Sequence, residues 1–113
     1  MESNSLTWSD FEKVEMRVGT ILSADEFPEA HNPSYFLTID FGELGIKKSS
    51  AQLKTSYNNQ ELIGKQVIVI INFPPKQIAN RMSECLLLGT IGDNKSITLL
   101  STDKPVKNGL KVS

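Results

Sequence analysis

Residues 67–89 read VIVIINFPPKQIANRMSECLLLG and carry the signals that decide the fold. Five β-branched aliphatic residues in a row, 67–71, predict a strand that is buried on both faces. Residues 85–88 repeat the apolar signal before Gly89. Between the two runs, Pro74 and Pro75 fix two φ angles and remove two N–H donors, so we expect a stiff loop there. This polar loop is the first candidate for a binding site, and it carries Lys76, Gln77, Asn80, Arg81 and Ser83.

Three further strands are predicted before this stretch. Residues 16–25 form an apolar pattern interrupted by Gly19, and a glycine inside a strand is typical of a bulge that bends it. Residues 34–41 alternate between an apolar face and a polar face, and Phe36 lies on the polar face, where we expect an exposed aromatic side chain. Residues 46–53 (IKKSSAQL) predict a third and more polar strand.

Two short helices are predicted beside the strands. Thr7 can cap the first helix and Asp10 can reach back toward it in a capping box. This helix has about two turns and is too short to be stable alone. Its aromatic face, with Trp8 and Phe11, must therefore dock on this domain or on a second subunit, and we favour partly the second subunit. A helical segment within residues 55–64 has Asn58 or Asn59 as its cap and Gly64 as its stop.

The order of these elements predicts the architecture. Residues 66–72, 83–91 and 96–100 complete the strands, the last two as a hairpin, and the tail adds a turn and a short terminal strand. Three strands, a short helix and two strands is the layout of the OB-fold. We predict an all-β, five-stranded OB-fold barrel with short helices, an N-terminal helix and a C-terminal hairpin extension. Residues 1–6 are expected to be flexible and residues 7–113 to form the single domain.

The charges of the chain are unevenly distributed. The net charge is only −1, but residues 1–44 hold nine acids and two bases, whereas residues 45–81 hold six bases and one acid. A basic middle region indicates a local anionic partner. An ordinary solvated surface with uneven charge would give the same pattern, so the charge alone leaves both interpretations open.

Several classes of function are disfavoured by the composition. One cysteine, Cys85, and one histidine, His31, cannot make a disulfide framework or a Cys/His zinc site, and we expect a buried thiol and a solvated imidazole. No nucleophile–base pair, Gly-rich phosphate motif or metal-ligand cluster is apparent. No apolar run reaches about 18 residues. We therefore predict a soluble, cytoplasmic protein that is not an enzyme, needs no cofactor or metal, and does not insert into a membrane.

The third predicted strand carries groups suited to nucleic acid. Lys47 and Lys48 can attract phosphates, while Ser50 and Gln52 can form hydrogen bonds with phosphates or base edges. Lysines also protect an edge strand from mispairing. These two roles do not exclude each other.

Five motifs in order resemble one family, and the match spans about residues 8–112. They are EMRVG at residues 15–19, FPEA at 27–30, IDFG at 39–42, IKKSSAQ at 46–52 and NFPPKQIANRMSE at 72–84. With these motifs the chain resembles the CsaA-type members of the tRNA-binding domain family, whose domains are also appended to some methionyl- and tyrosyl-tRNA synthetases.

The resemblance implies an OB barrel with terminal extensions, a homodimer, and binding to structured tRNA. CsaA-type members are also described as export-related chaperones that bind unfolded polypeptide, which gives an alternative function. The RNA-facing positions of the family fall on Ser50, Asn72 and Ser83 and on basic residues of the loop, to which we add Gln52 and Glu84. Two positions depart from the family pattern: its basic residue falls at Gln77, and its glycine falls at Asn80, which we expect to tolerate a positive φ.

The sequence therefore predicts a non-catalytic homodimer that binds tRNA, with an export-related molecular chaperone for unfolded or precursor polypeptides as the alternative. We expect Lys47, Lys48, Lys76 and Arg81 to attract phosphates. Trp8 and Phe11 are the candidates for the dimer interface. Trp8, Phe36 and Phe73 are the aromatic residues that a chaperone would expose.

Overall fold

Ten strands and two short α-helices make up the fold in the computed structural model, which describes residues 4–113. Residues 1–3 of the predicted flexible N-terminus lie outside the described residues. The helices are α1 (Trp8–Glu12) and α2 (Asn59–Leu62). The strands are β1 (Met16–Glu26), β2 (Tyr35–Asp40), β3 (Ile46–Ala51), β4 (Gln66–Ile70), β5 (Lys76–Ile78), β6 (Arg81–Ser83), β7 (Leu86–Leu87), β8 (Gly89–Ile91), β9 (Ile97–Leu99) and β10 (Lys111–Val112).

Both helices begin at reciprocal capping boxes; the box at Thr7 was predicted, whereas for α2 only a cap at Asn58 or Asn59 was predicted. The Asp10 N–H donates to Thr7 Oγ1 at 3.0 Å, and the Thr7 N–H donates to the Asp10 carboxylate at 3.3 Å. Asn58 and Glu61 repeat the arrangement at α2, at 2.9 and 2.8 Å. Each box satisfies two backbone donors that a helix N-terminus leaves without partners.

The long strand β1 organises the main sheet, in which the strand order is β3-β2-β1-β4-β7. Its first half pairs antiparallel with β4 and its second half with β2. The register shifts between Ile21 and Ser23, so the bulge does not lie at Gly19, as we had expected. Gly19 serves close packing instead, because a Cβ there would lie 2.6 Å from Ile39 Cγ2 and 2.7 Å from Phe41 Cε1.

The barrel interior is filled by the apolar face of β2 and by β4. Leu37 and Ile39 of β2 are fully buried, and so are Val67 and Val69 of β4, which confirms the predicted alternation and the predicted buried strand. Leu62 of α2 closes one part of this core. Cys85 is buried, as expected.

The expectation of an exposed Phe36 was wrong. Its side chain is only 4% exposed, because Phe27, which follows β1, packs edge-on against it with 5.4 Å between ring centroids. The guanidinium of Arg81 covers the same ring. An aromatic residue on the polar face of a strand is thus buried by a neighbouring loop and a neighbouring hairpin.

The stretch from residue 72 to residue 91 differs most from the prediction. Much of the expected loop is a two-stranded hairpin, β5–β6, and the residue with a positive φ at its turn is Ala79, at +52°, not Asn80. The single strand expected over residues 83–91 is divided among β6, β7 and β8. The division arises because β7 pairs with β4 whereas β8 pairs with β9, so the chain must change partners between them.

The barrel is nearly closed by contacts between β3 and the segment that follows β6. The Glu84 N–H donates to the Lys48 carbonyl at 2.8 Å, and Ser49 Oγ donates to the Cys85 carbonyl at 2.9 Å. The C-terminal strand β10 pairs with the start of β1. The result is a mostly β, barrel-like sheet with few short helices, as the predicted OB-fold requires.

Candidate nucleic-acid interface

The candidate site begins at the junction between the β5–β6 hairpin and β3. The Ser50 N–H donates to Ser83 Oγ at 3.0 Å, and the Lys48 N–H donates to the Glu84 carboxylate at 2.9 Å. These bonds occupy donors on the outer edge of β3 that strand pairing does not use. They hold the hairpin beside β3, so two segments far apart in sequence form one surface.

Strand register decides which side chains share this surface. Lys76 lies opposite Ser83 in the hairpin, and Arg81 is two residues before Ser83, so all three share one hairpin face. In the main sheet, Ser50 lies opposite Phe36, and Lys48 is two residues before Ser50.

Arg81 connects the two faces. Its guanidinium carbon lies 4.7 Å from the centroid of the Phe36 ring, which is on the same side of the sheet as Ser50 and Lys48. The structure therefore brings Lys48, Lys76 and Arg81 together around the Ser50–Ser83 junction. All three residues are exposed. Exposed cations around hydroxyl groups can bind phosphates and sugar hydroxyls.

Lys47 is separated from this group. It lies opposite Ile39, on the face of β3 that also carries Ser49, and it is half-buried. Two other bases of the basic middle region are engaged elsewhere, because Lys54 forms an ion pair with Glu26 and Lys65 lies over the Tyr57 ring at 6.0 Å. The basic middle of the sequence therefore contributes only part of its charge to the candidate site.

Asn72 binds the chain itself. Its Oδ1 accepts from the Glu15 N–H at 3.0 Å, and its Nδ2 donates to the Lys13 carbonyl at 2.6 Å. These bonds fasten the segment between α1 and β1 to the end of β4. Ser83 and Glu84 also use a polar atom to hold the junction. The predicted contacts of these residues with nucleic acid stay predictions, but each side chain has an intramolecular task.

Gln52 is exposed just beyond β3 and borders a groove of about 310 Å³. Ser50 belongs to the same rim, and the floor is apolar, with Leu86, Leu87, Ile97 and Leu99 among its lining residues. The polar junction therefore continues directly into an apolar groove.

Burial raises the pKa of the Cys85 thiol to about 12, with a further rise from the nearby Glu84 carboxylate. The thiol is therefore protonated at neutral pH and packs as an apolar group. His31 is exposed in the loop between β1 and β2, as expected.

Sequence reasoning missed the aromatic base of the site, Phe27 and Phe36. The sequence signal for this cluster was Phe36, an aromatic residue on the polar face of the second predicted strand. In the sheet, Phe36 lies opposite Ser50 of β3. It was interpreted as an exposed side chain, because nothing local indicated what would cover it.

A second candidate surface lies at the N-terminus. Trp8 is 82% exposed and Leu6 is 74% exposed, and α1 has no buried residue. Trp8, Phe11 and Leu6 line a groove of about 300 Å³ that also borders Ser113, the last residue of the chain. This surface is unusually apolar for an exposed helix.

Two negative findings apply to residues 4–113. No helix in this range is long and apolar enough to cross a membrane. Likewise, no three His, Cys, Asp or Glu side chains within the range are grouped so that they could hold a metal ion.

The chain is similar to one described protein family and to several known proteins. The family described as "Putative tRNA binding domain" matches residues 16–111. The methionine–tRNA ligase of Leptospira biflexa is 37% identical over 108 residues, which is 96% of this chain but 16% of that protein. The corresponding ligase of Nanoarchaeum equitans is 38% identical over 111 residues, 98% of this chain and 14% of the ligase. The chain thus spans about a seventh of the length of these curated relatives.

Two solved structures are similar over nearly their whole length. The chaperone CsaA of Bacillus anthracis has a TM-score of 0.91 and 43% identity, covering 96% of this chain and 99% of that one. The CsaA chaperone protein of Picrophilus torridus has a TM-score of 0.89 and 45% identity, covering 96% of this chain and 100% of that one.

Proposed function

Because the chain belongs to the tRNA binding domain family, we propose that it binds structured tRNA as a homodimer and catalyses no reaction on it. The observation that carries this proposal is the junction between β3 and the β5–β6 hairpin, where Ser83 and Glu84 fix the hairpin so that Lys48, Lys76 and Arg81 surround one surface.

The physical basis is electrostatic attraction to phosphates combined with a fixed shape. Lys48 and Lys76 are exposed and have no ion-pair partner within residues 4–113. Each phosphate that a lysine neutralises releases counterions, so binding weakens steeply as salt rises. The deep major groove of an RNA duplex excludes side chains, so a folded RNA with loops and bends fits better than a regular duplex.

The test removes the two lysines together. We expect Lys48→Ala with Lys76→Ala to weaken binding of unfractionated tRNA and to reduce the slope of log affinity against log salt by about 1.5, since each contact contributes roughly 0.7–0.9. A filter-binding titration across salt concentrations measures both quantities.

A matched control removes two lysines elsewhere. Lys104→Ala with Lys107→Ala deletes the same charge from the tail, where the neighbouring Val106 N–H bonds to Gln66 at the end of β4 that is distant from the hairpin. The control should retain the slope. Equal affinity and slope in all three proteins would contradict the proposed site.

The proposed dimer uses the apolar N-terminal surface around α1. Trp8 and Leu6 remain solvated in one copy of the chain, and burying a tryptophan removes about 150–250 Å² from water. Trp8→Ala should therefore weaken self-association in sedimentation velocity, whereas Ile63→Ala, which truncates an apolar side chain that is 52% exposed elsewhere, should not. If the wild-type protein sediments with the mass of one chain, the proposed dimer does not form. If Trp8→Ala dimerises with unchanged affinity, the interface lies elsewhere.

A chaperone for unfolded or precursor polypeptide is the second candidate function. It is favoured by the exposed Trp8 and Phe73, and by the two similar structures that are described as CsaA chaperones. Binding through an apolar surface should survive loss of Lys48 and Lys76. Suppression of the aggregation of a heat-denatured enzyme by the double variant would support this function, and no suppression by the wild-type protein would exclude it.

A further inference from the structure

At the candidate interface, the guanidinium of Arg81 lies over two aromatic rings. Its guanidinium carbon lies 4.7 Å from the centroid of the Phe36 ring and 5.6 Å from that of Phe27. The two rings meet nearly at right angles, with an interplanar angle of 72°, and are almost completely buried. Arg81 itself is exposed. One side of this cation therefore rests on aromatic carbon while the residue still faces solvent.

The guanidinium of Arg81 has no hydrogen-bond or ion-pair partner in the described part of the chain. The ion pairs within residues 4–113 are Arg17–Glu15 and Lys54–Glu26, and no side-chain hydrogen bond in this range involves Arg81. Arg17 provides a contrast, because its guanidinium binds Glu15 and the Gly109 carbonyl. Arg81 is thus positioned by aromatic contact, without the in-plane bonds that usually hold a structural arginine.

We propose that Arg81 is a stacking platform for an unpaired nucleobase of the bound RNA, and that it is not one of the phosphate contacts. This inference rests on the proposed RNA-binding function. A guanidinium is planar, weakly hydrated and able to stack on π systems on both sides. Unpaired RNA bases are commonly stacked on arginine planes or aromatic rings. Because the guanidinium already lies 4.7 Å from the centroid of the Phe36 ring, it is near its binding position before the base arrives, which lowers the ordering cost of binding.

The surroundings of Arg81 fit a base better than a phosphate alone. The hydroxyls of Ser50 and Ser83 lie at the adjoining junction, and hydroxyl groups can donate to or accept from base edges. Lys48 and Lys76 flank the same junction and are free to reach phosphates. The site then has separate groups for the two parts of a nucleotide: lysines for the backbone, and Arg81 with the serines for an exposed base.

This arrangement selects for single-stranded segments of a folded RNA. A base inside a duplex has both faces covered by its neighbours and cannot stack on a protein side chain. The bound part of the RNA should therefore be a loop, a bulge or an end. A regular duplex would be bound only through its phosphates, and more weakly.

Two substitutions at Arg81 separate stacking from charge. Arg81→Lys keeps the charge and removes the plane, whereas Arg81→Tyr keeps a plane and removes the charge. The probes are unfractionated tRNA, a 12-nucleotide single-stranded oligouridine and a 12-base-pair RNA duplex, each titrated across salt concentrations. Thermal unfolding of each variant is measured in parallel.

Stacking predicts that Arg81→Lys loses about 5- to 150-fold in affinity for tRNA and for the single strand, with an unchanged salt slope. Arg81→Tyr should stay within about threefold of the wild type. The preference of the wild type for the single strand over the duplex should disappear in Arg81→Lys and persist in Arg81→Tyr.

The opposite pattern would overturn the inference. If Arg81 is a phosphate contact, Arg81→Lys retains affinity, while Arg81→Tyr loses it together with about 0.7 of the salt slope. Wild-type affinity in both variants, or an equal loss in both, would also overturn it. Should Lys48→Ala with Lys76→Ala lose binding while Arg81→Lys does not, the proposed function stands and the role of Arg81 falls. Absence of wild-type binding to all three probes overturns both.

Discussion

Ser83→Ala tests whether the binding surface is held together by the residues that the family resemblance assigns to RNA. The substitution removes the acceptor of the Ser50 N–H, which is 3.0 Å from Ser83 Oγ, and leaves the rest of the hairpin unchanged. If Ser83 is mainly a structural residue, the protein should lose stability in the absence of RNA. If it is mainly a ligand, stability should be unchanged and only affinity should fall.

The magnitude follows from the exposure of the bond. A hydrogen bond contributes about 0.5–1.5 kcal/mol net, and a fully buried unsatisfied N–H costs about 1–3 kcal/mol. Ser50 and Ser83 are half-buried, so water can replace part of the lost bond, and the cost should be about 1 kcal/mol. For 113 residues the entropy of unfolding is roughly 0.24 kcal/mol/K, so Tm should fall by about 4 °C.

The assay combines thermal unfolding with amide hydrogen exchange of Ser50. In Ser83→Ala the Ser50 amide should exchange faster than in the wild type, whereas amides in β4 should change only by the global loss of stability. Ser83→Thr keeps the hydroxyl and serves as the matched control. An unchanged Tm and an unchanged Ser50 exchange rate, accompanied by weaker tRNA binding, would refute the structural role and make Ser83 a direct contact.

Three further predictions concern the barrel. Gly19→Ala should lower the free energy of unfolding in urea by about 1–3 kcal/mol, because its Cβ would overlap Ile39 and Phe41; a neutral result would mean that the strands separate easily there. Ala79→Gly should raise Tm by about 2–4 °C, since φ is +52° in the hairpin turn; a lower Tm would show that the turn is not strained. Above the usual thiol pKa of 9.0, stability should fall with pH by up to about 1.36 kcal/mol per unit toward pH 12, because only the unfolded thiol ionises; Cys85→Ala should lack this component, and identical pH profiles would contradict the burial effect.

Local signals in the sequence predicted the elements that local chemistry determines. The capping box at Thr7 follows from residues three positions apart and forms as predicted, and of the two predicted caps for α2 the structure has Asn58. The alternation of residues 34–41 correctly identified the core face, and the aliphatic run from residue 67 identified a buried strand. These features need no knowledge of distant parts of the chain.

Features that depend on partners distant in sequence were not predictable in the same way. The sequence of residues 83–91 predicts one continuous strand, but within it the chain changes its pairing partner from β4 to β9. No local signal in these residues predicts that change. The bulge was predicted at Gly19 because a glycine inside a strand often marks a bulge, but the bulge lies near Leu22 and Gly19 is needed for close packing. Packing constraints of this kind exist only once the neighbouring strand is in place.

The predicted site residues differ in where the structure places them. Lys48, Lys76 and Arg81 do converge, but Lys47 lies on the opposite face of β3, since neighbouring residues of a strand point to opposite sides. The contact between Arg81 and Phe36 could not be inferred without knowing that the hairpin folds onto β2 and β3.

Glu84 stabilises the structure of the candidate site but lowers its positive charge. A carboxylate repels phosphate, so Glu84, which is bonded to the backbone of Lys48, would weaken the attraction of RNA in the proposed function. Yet its oxygen accepts the Lys48 N–H, and its own N–H donates to the Lys48 carbonyl, so Glu84 satisfies both backbone groups of Lys48 on the edge of β3. A neutral side chain would form a weaker bond to that N–H, because charge-assisted hydrogen bonds are stronger. The Glu84 carboxylate therefore makes the junction rigid but lowers the net positive charge of the surface. If the proposed function holds, affinity for RNA would depend on the shape of this surface and on stacking at Arg81 as well as on the cations.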